Sequence, residues 1–159
     1  MATSTVRPYV WMVPSGLRQN REKSLETFAE VRKHVIDNHR LFLDEPFQLG
    51  FDLSMDDSDR KQSVFLAEIK SADNRRYLRV ETLICPLEDF DAEKCLRINL
   101  VLRVGYLAVG DLDSTAYVKM CANLAYSSLD ADELEYVISH IAPMADRMEQ
   151  TLESQGDIA

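Results

Sequence analysis

Apolar residues recur at a helical spacing in the segment from residue 24 to residue 43. Ser24 stands where it could cap the first turn, since its side chain can accept a hydrogen bond from a free backbone N–H. Pro46 limits the other end, because the residue before a proline is driven out of the helical region. The pattern predicts a first helix from about Ser24 to Leu43, with an apolar stripe formed by Leu25, Phe28, Val35, Ile36 and Phe42.

Three runs with strand-like alternation follow this helix. They are centred on Phe47–Leu53, Val64–Ile69 and Tyr77–Ile84, and turn-forming residues separate them at 54–60 and 71–74. Consecutive strands joined by short loops pair antiparallel, so these residues predict a three-stranded meander.

The second half of the chain repeats both kinds of element. A second helix is predicted from about Phe90 to Arg103, and two strands, Tyr106–Gly110 and Ala116–Tyr126, are predicted on either side of a polar turn. A closing helix is predicted to begin after Asp130, and Pro143 is expected to kink or split it, because proline removes one helical hydrogen bond.

This element order predicts one α+β domain, α-β-β-β-α-β-β-α, in which helices pack on an antiparallel sheet. We expect residues 1–23 to form an amino-terminal arm, residues 24–153 the domain, and residues 154–159 a polar tail. The length of 159 residues is typical of one domain.

The charge of the chain is uneven and acidic overall. The formal net charge is −9, and the acidic residues are concentrated after residue 43. Nucleic-acid binding depends on clustered Lys and Arg that neutralise phosphates, so we expect no nucleic-acid partner. Residues 130–159 carry eight acidic residues against Arg147, which predicts a last helix with an acidic outer face.

The sequence shows neither a signal-peptide pattern nor an apolar run of membrane-spanning length, which favours a cytoplasmic protein with no membrane association. The three cysteines, Cys85, Cys95 and Cys121, are odd in number and widely spaced, as is typical of reduced, buried thiols. Cys95 is the candidate reactive thiol, because it lies near a predicted helix amino terminus, where the helix dipole could lower its pKa. Burial as a small apolar residue is nevertheless the expected role for all three.

Residues with the spacing of a catalytic or metal site are hard to find. His34 and His39 are five positions apart, which puts them on different faces of a helix, and the acidic turns lack the glycine and glutamate of a calcium-binding loop. The chain contains no GxSxG, P-loop or GxGxxG motif. We therefore expect a protein with no catalytic residue, no metal and no cofactor.

Signals for protein binding are clearer. Trp11 lies within the apolar run Tyr9–Val13, which we expect to pack against the domain or against a second copy. The end of the second helix is apolar nearly all round, more than one core face requires, through Leu100, Val101, Leu102 and Val104. A symmetric dimer would bury this excess. The candidate partner or dimer residues are Trp11, Leu100, Val101, Leu102 and Val104.

Four segments carry a resemblance to a known superfamily: Leu78–Cys85, Cys95–Asn99, Val104–Asp111 and the ending from Leu129 to Arg147. Together with the element order, they make the chain similar to the type III secretion chaperone-like superfamily, which includes the secretion chaperones and the YbjN-type proteins. The resemblance spans about residues 24–153. The long arm departs from the secretion chaperones and favours a YbjN-type protein or an uncharacterised relative.

The resemblance implies a small, acidic, non-enzymatic protein that forms a homodimer and binds a protein partner, an effector or a regulatory protein. Two other classes stay open at this point. One is a small enzyme or ligand-binding domain with a pocket between sheet and helices, and the other is a structural subunit whose arm inserts into a larger assembly.

Overall fold

A computed structural model describes residues 23–55 and 59–156. Within these ranges the chain forms six strands, three helices and two single turns of 3₁₀ helix. The elements, in chain order, are α1 (Phe28–Asn38), β1 (Leu41–Glu45), β2 (Gln48–Ser54), β3 (Lys61–Lys70), β4 (Arg76–Pro86), α2 (Ala92–Val101), β5 (Tyr106–Leu112), β6 (Thr115–Ala125) and α3 (Ala131–Gly156).

The strands form one antiparallel sheet with the order β1-β2-β3-β4-β6-β5. β1 and β5 are therefore the two edge strands. α2 connects β4 to the edge strand β5, and β6 then returns to lie between β5 and β4. This connection separates the meander β1–β4 from the hairpin β5–β6.

The core lies between one face of the sheet and the three helices. Alternate strand residues such as Leu66 on β3 and Val80 on β4 are buried in it, together with Val35 of α1, Cys95 of α2 and Ile141 of α3. Since side chains alternate between the two faces of a strand, the other face of the sheet carries no helix from the described residues. The open face contains a well-protected ion pair between Lys119 and Glu81, 3.1 Å apart.

The α+β fold class and the predicted order of elements are confirmed, with one strand more than expected. The first helix ends at Asn38, where the prediction continued to Leu43, and Leu41–Glu45 form the edge strand β1. His39 already has extended dihedral angles, with φ −136° and ψ 149°. The apolar residues Leu41–Leu43 fit a helical stripe and a strand equally well, so periodicity alone could not separate the two.

The amino-terminal cap of α1 is Thr27, not Ser24. The backbone N–H of Glu30 donates to Oγ1 of Thr27 over 3.3 Å, and the Glu30 carboxylate accepts from the backbone N–H of Thr27 over 3.0 Å. These two bonds form a capping box. The carboxylate also accepts from the backbone of Glu26, and this bond lowers the pKa of Glu30 below its ordinary value.

α3 begins as expected, because Oδ1 of Asp130 accepts from the backbone N–H of Glu133 over 2.8 Å. Pro143 lies inside a single helix and does not split it. The helix continues to Gly156, and so includes the first residues of the segment expected as a polar tail.

Candidate protein-binding surfaces

The three cysteines are free and buried, as predicted. Burial raises the pKa of Cys85 and of Cys121 to about 11, and it also raises the pKa of Cys95. The pKa of Cys95 thus moves in the direction opposite to the one that activation by the helix dipole requires, because burial disfavours the thiolate.

The two histidines of the α1 region do converge, contrary to the prediction. Nε2 of His34 lies 2.8 Å from one carboxylate oxygen of Glu135, and Nε2 of His39 lies 3.7 Å from the other. They meet because α1 ends at Asn38, so His39 leaves the helical path and stacks on Phe51. The contact joins α1 to α3. Among the described residues, His, Cys, Asp and Glu form no group of three or more that could hold a metal ion.

α2 carries the most exposed apolar surface of the described residues. Leu100 is 85% exposed and Val101 is 66% exposed, and Leu96, one turn before Leu100, is exposed as well. Leu96 and Leu100 lie on the same side of the helix, because residues four apart are neighbours on its surface. Cys95, about 100° around the helix from Leu96, is buried in the core.

Four of the five residues predicted for a partner surface lie among the described residues, and they form two groups. Leu100 and Val101 are exposed, whereas Leu102 and Val104 are partly buried against the core, where they fix the chain between α2 and β5. Trp11 lies outside the described residues.

Asn99 attaches α2 to the edge strand β5. Its side-chain oxygen accepts from the backbone N–H of Leu107 over 2.6 Å, and its Nδ2 donates to the backbone oxygen of Leu107 over 3.1 Å. The N–H and C=O of Leu107 therefore point away from β6. By the alternation of an antiparallel strand, those of Val109 and Asp111 point the same way, towards the open edge. Val109 is also exposed.

A second apolar surface lies at the opposite edge of the sheet. Phe42 of β1 is 54% exposed, and its ring makes an edge contact with Phe65 of β3, with the ring centres 5.7 Å apart. Phe42 lies over Gly50, where a Cβ atom would come within 2.7 Å of the ring. Phe47, in the turn between β1 and β2, is 65% exposed.

The hydrophobic pattern did not indicate this second surface, because it placed Phe42 on the stripe of a helix and Phe47 on an ordinary strand. The signal that could have revealed it is the sequence Glu45-Pro46-Phe47-Gln48. Its proline fits a tight turn between two strands as well as it fits the end of a helix.

The described helices include none long and apolar enough to cross a membrane.

Comparison with solved structures bears on the fold. One similar chain comes from the "Crystal Structure of the ExsC-ExsE Complex", with a TM-score of 0.53 and 19% sequence identity over 78% of this chain and 94% of that one. Another comes from the "Structure of the HopA1-SchA Chaperone-Effector Complex", with a TM-score of 0.51 and 11% identity over 74% of this chain and 88% of that one. The chain has the fold of a type III secretion chaperone.

These likenesses show the fold alone, and it is the fold that the resemblance in the sequence implied. The match to ExsC–ExsE includes nearly the whole of the other chain, so the likeness concerns the complete domain and not a shared hairpin. No family model matches the sequence, and no curated protein does.

Proposed function

We propose that this protein is a non-enzymatic, cytoplasmic chaperone or adaptor that works as a homodimer and binds an extended segment of an effector or regulatory protein. The observation that carries the proposal is the placement of the exposed apolar residues. Leu96, Leu100 and Val101 lie beside one edge strand, and Phe42 and Phe47 lie at the other. Each edge also presents backbone groups that a second chain can pair with.

The α2 end is the proposed dimer surface. Its apolar side chains stand on a regular helix, which can pack against the same helix of a second copy about a two-fold axis. Burial of one leucine side chain contributes about 1.5–3 kcal/mol, so Leu96 and Leu100 from each copy supply a substantial part of a stable interface. The i,i+4 ion pair between Arg97 and Glu93 lies beside this surface and stays exposed.

The β1 end is the proposed surface for the partner segment. A segment that adds to β1 as a further strand gains main-chain hydrogen bonds, and its side chains reach Phe42 and Phe65 on the open face of the sheet. Aromatic pairs of this kind favour apolar and aromatic side chains in the bound segment. The likeness to chains from an effector complex supports this kind of occupant. Within this class of protein-binding chaperones and adaptors, the long arm favours a YbjN-type regulator.

Dimerisation is tested with the double variant Leu96→Glu, Leu100→Glu. Light scattering coupled to size exclusion is expected to give twice the chain mass for the wild type and one chain mass for the variant. The double variant Phe42→Asp, Phe47→Asp is the matched control and is expected to remain a dimer. A monomeric wild type would contradict the dimer.

Partner binding is tested by affinity purification from the native host followed by mass spectrometry. The proposal expects a specific protein that the wild type and the α2 variant both retain and that the Phe42→Asp, Phe47→Asp variant loses. Overlapping peptides from that protein then locate the bound segment. Equal retention by all three forms would show that the β1 end is not the binding surface.

A further inference from the structure

β6 is longer than its neighbour β5 at one end. The first residue of β5, Tyr106, pairs with Cys121, whereas β6 continues its pairing with β4 as far as Ala125 opposite Tyr77. Residues 122–125 of β6 therefore have a strand on one side only. This short third edge lies in the interior of the strand order and is distinct from the outer edges at β1 and β5.

A groove lies along this part of β6. It has a volume of about 760 Å³, and a second hollow of about 490 Å³ continues it. The β6 edge forms one side of the groove and the first turns of α3 form the other. Both hollows share the lining residues Asn123, Leu124, Glu133 and Tyr136.

The backbone of β6 directs hydrogen-bonding groups into the groove. The N–H and C=O of Leu107 point away from β6, so Leu107 and Met120 form a non-hydrogen-bonded pair of the antiparallel ladder. The backbone N–H and C=O of Met120 therefore point towards β4. Alternation then turns the N–H and C=O of Asn123 away from β4 and towards the groove. An extended peptide laid there can pair with Asn123 as an added strand.

The other wall of the groove is acidic with one aromatic residue. Asp130, Asp132 and Glu133 line it, and Tyr136, one turn along α3, is 50% exposed. The amino terminus of α3 offsets part of this negative charge, since Asp130 caps the helix. The groove thus suits an extended segment that carries both cationic and apolar side chains.

The chain itself enters the domain at the rim of this groove. The backbone N–H of Leu25 donates to the backbone oxygen of Leu129 over 3.0 Å, and that of Ala131 donates to the backbone oxygen of Lys23 over 3.3 Å. These bonds enclose an antiparallel bridge between Ser24 and Asp130. Lys23, to which residues 1–22 are covalently attached, therefore lies beside the acidic wall.

The sequence of that tethered segment has the chemistry that the groove suits. Residues 1–22 contain three arginines, Arg7, Arg18 and Arg21, and a single acidic residue, Glu22. They also contain the apolar run Tyr9–Val13 with Trp11 at its centre. Nine residues separate this run from Lys23, and nine extended residues span up to about 30 Å, which is enough to reach back into the groove.

We propose that the run Tyr9–Val13 of the chain's own arm docks in the groove between β6 and α3. It pairs with the β6 edge at Asn123 and packs Trp11 near Tyr136, while the arginines of the arm face Asp132 and Glu133. A tethered segment acts at an effective concentration in the millimolar range, so the chain's own arm occupies the groove ahead of a free peptide of the same chemistry. This docking is independent of the partner surface proposed at β1.

Trp11 makes the proposal directly measurable, because it is the only tryptophan of the chain. Selective excitation of the full-length protein is expected to give blue-shifted emission that acrylamide quenches weakly. The variant Asp132→Lys, Glu133→Lys is expected to shift the emission towards that of a solvent-exposed tryptophan and to increase quenching. The control Asp37→Lys, Glu88→Lys makes the same change in net charge at two exposed acids outside the groove and is expected to leave both signals unchanged.

Two fluorescence results at a single protein concentration would overturn the proposal: an emission typical of exposed tryptophan in the wild type, or a buried signal that the groove variant does not alter. Far-UV circular dichroism verifies that the groove variant is folded. A photo-crosslinking amino acid at position 11 gives a second measurement, in which the expected crosslinks lie within residues 122–137 of the same chain. Crosslinks only between chains, or an emission that changes with dilution, would assign the groove to the arm of a second copy and contradict docking of the chain's own arm.

Discussion

Nε of Arg60 lies 2.8 Å from Oδ1 of Asp146, and this ion pair joins the segment before β3 to the middle of α3. The Asp146 side chain is only 7% exposed, and Nε2 of Gln150 donates to its other oxygen over 2.6 Å. A buried carboxylate that loses its cation remains desolvated, so we expect Arg60→Ala to lower the free energy of unfolding by about 1–3 kcal/mol, as measured by urea denaturation. The control is Arg75→Ala, since its ion pair with Asp73 is exposed, and there a loss below about 1 kcal/mol is expected. Equal midpoints for the two variants would show that burial adds nothing to the first pair.

The buried thiols predict a loss of stability in alkali. Burial raises the pKa of Cys85 and Cys121 to about 11, while an unfolded thiol has a pKa of about 8.5. Between these values the unfolded chain releases protons that the folded chain keeps, so stability falls as the pH rises through that window. Urea midpoints can be measured at one pH below this window and at one pH above it. The difference between the two midpoints should be smaller in the Cys85→Ala, Cys121→Ala variant than in the wild type. Rapid alkylation of all three cysteines in the folded protein at pH 8 would contradict the burial on which this depends.

The side chain of Asn99 acts as a substitute for a neighbouring strand at the β5 edge. Its removal leaves the N–H and C=O of Leu107 without these two bonds, and Asn99→Ala is expected to cost about 1–2 kcal/mol of unfolding free energy. Asn38→Ala is a suitable control, because the bond from Asn38 to the backbone oxygen of His34 is exposed. Hydrogen exchange of the Leu107 amide should accelerate in Asn99→Ala and stay slow in Asn38→Ala.

Gly50 keeps space open for the ring of Phe42. In Gly50→Ala the new Cβ would lie 2.7 Å from that ring, and since Phe42 is exposed, the ring can turn outwards while the backbone stays in place. We expect the urea midpoint to change little and the nuclear Overhauser contacts between Phe42 and Phe65 to disappear. Retention of those contacts would mean that the strand shifts instead of the ring.

The sequence predicted elements well where one period was unambiguous. The strands β3, β4 and β6 alternate cleanly and were assigned correctly, and Asp130 and Glu133 correctly marked the start of α3. The segment 39–43 was assigned to a helix because nothing before Asp44-Glu45-Pro46 signals a break. The choice between helix and strand is made there by tertiary packing, in which His39 stacks on Phe51.

The candidate surfaces were predicted only in part, for a related physical reason. An excess of apolar residues on α2 is visible in the sequence, but which of them are exposed depends on the path of the chain after the helix. That path exposes Leu100 and buries part of Leu102. The groove beside β6 could not be predicted at all. It exists because β5 begins its pairing with β6 at Tyr106 opposite Cys121, and the local hydrophobic pattern does not indicate this register.

The offset between β5 and β6 gives the chain a simple way to gain or lose a cleft. Only residues 102–105 connect α2 to the first residue of β5. Gly105 in this connector has a φ of +74°, and a Cβ atom at this position would lie 2.9 Å from the backbone oxygen of Cys121. A relative that began β5 four residues earlier would pair the rest of β6 and close the cleft without altering the core. Changes in the length of this one connector would thus add or remove a binding function while the rest of the domain evolves under unchanged packing constraints.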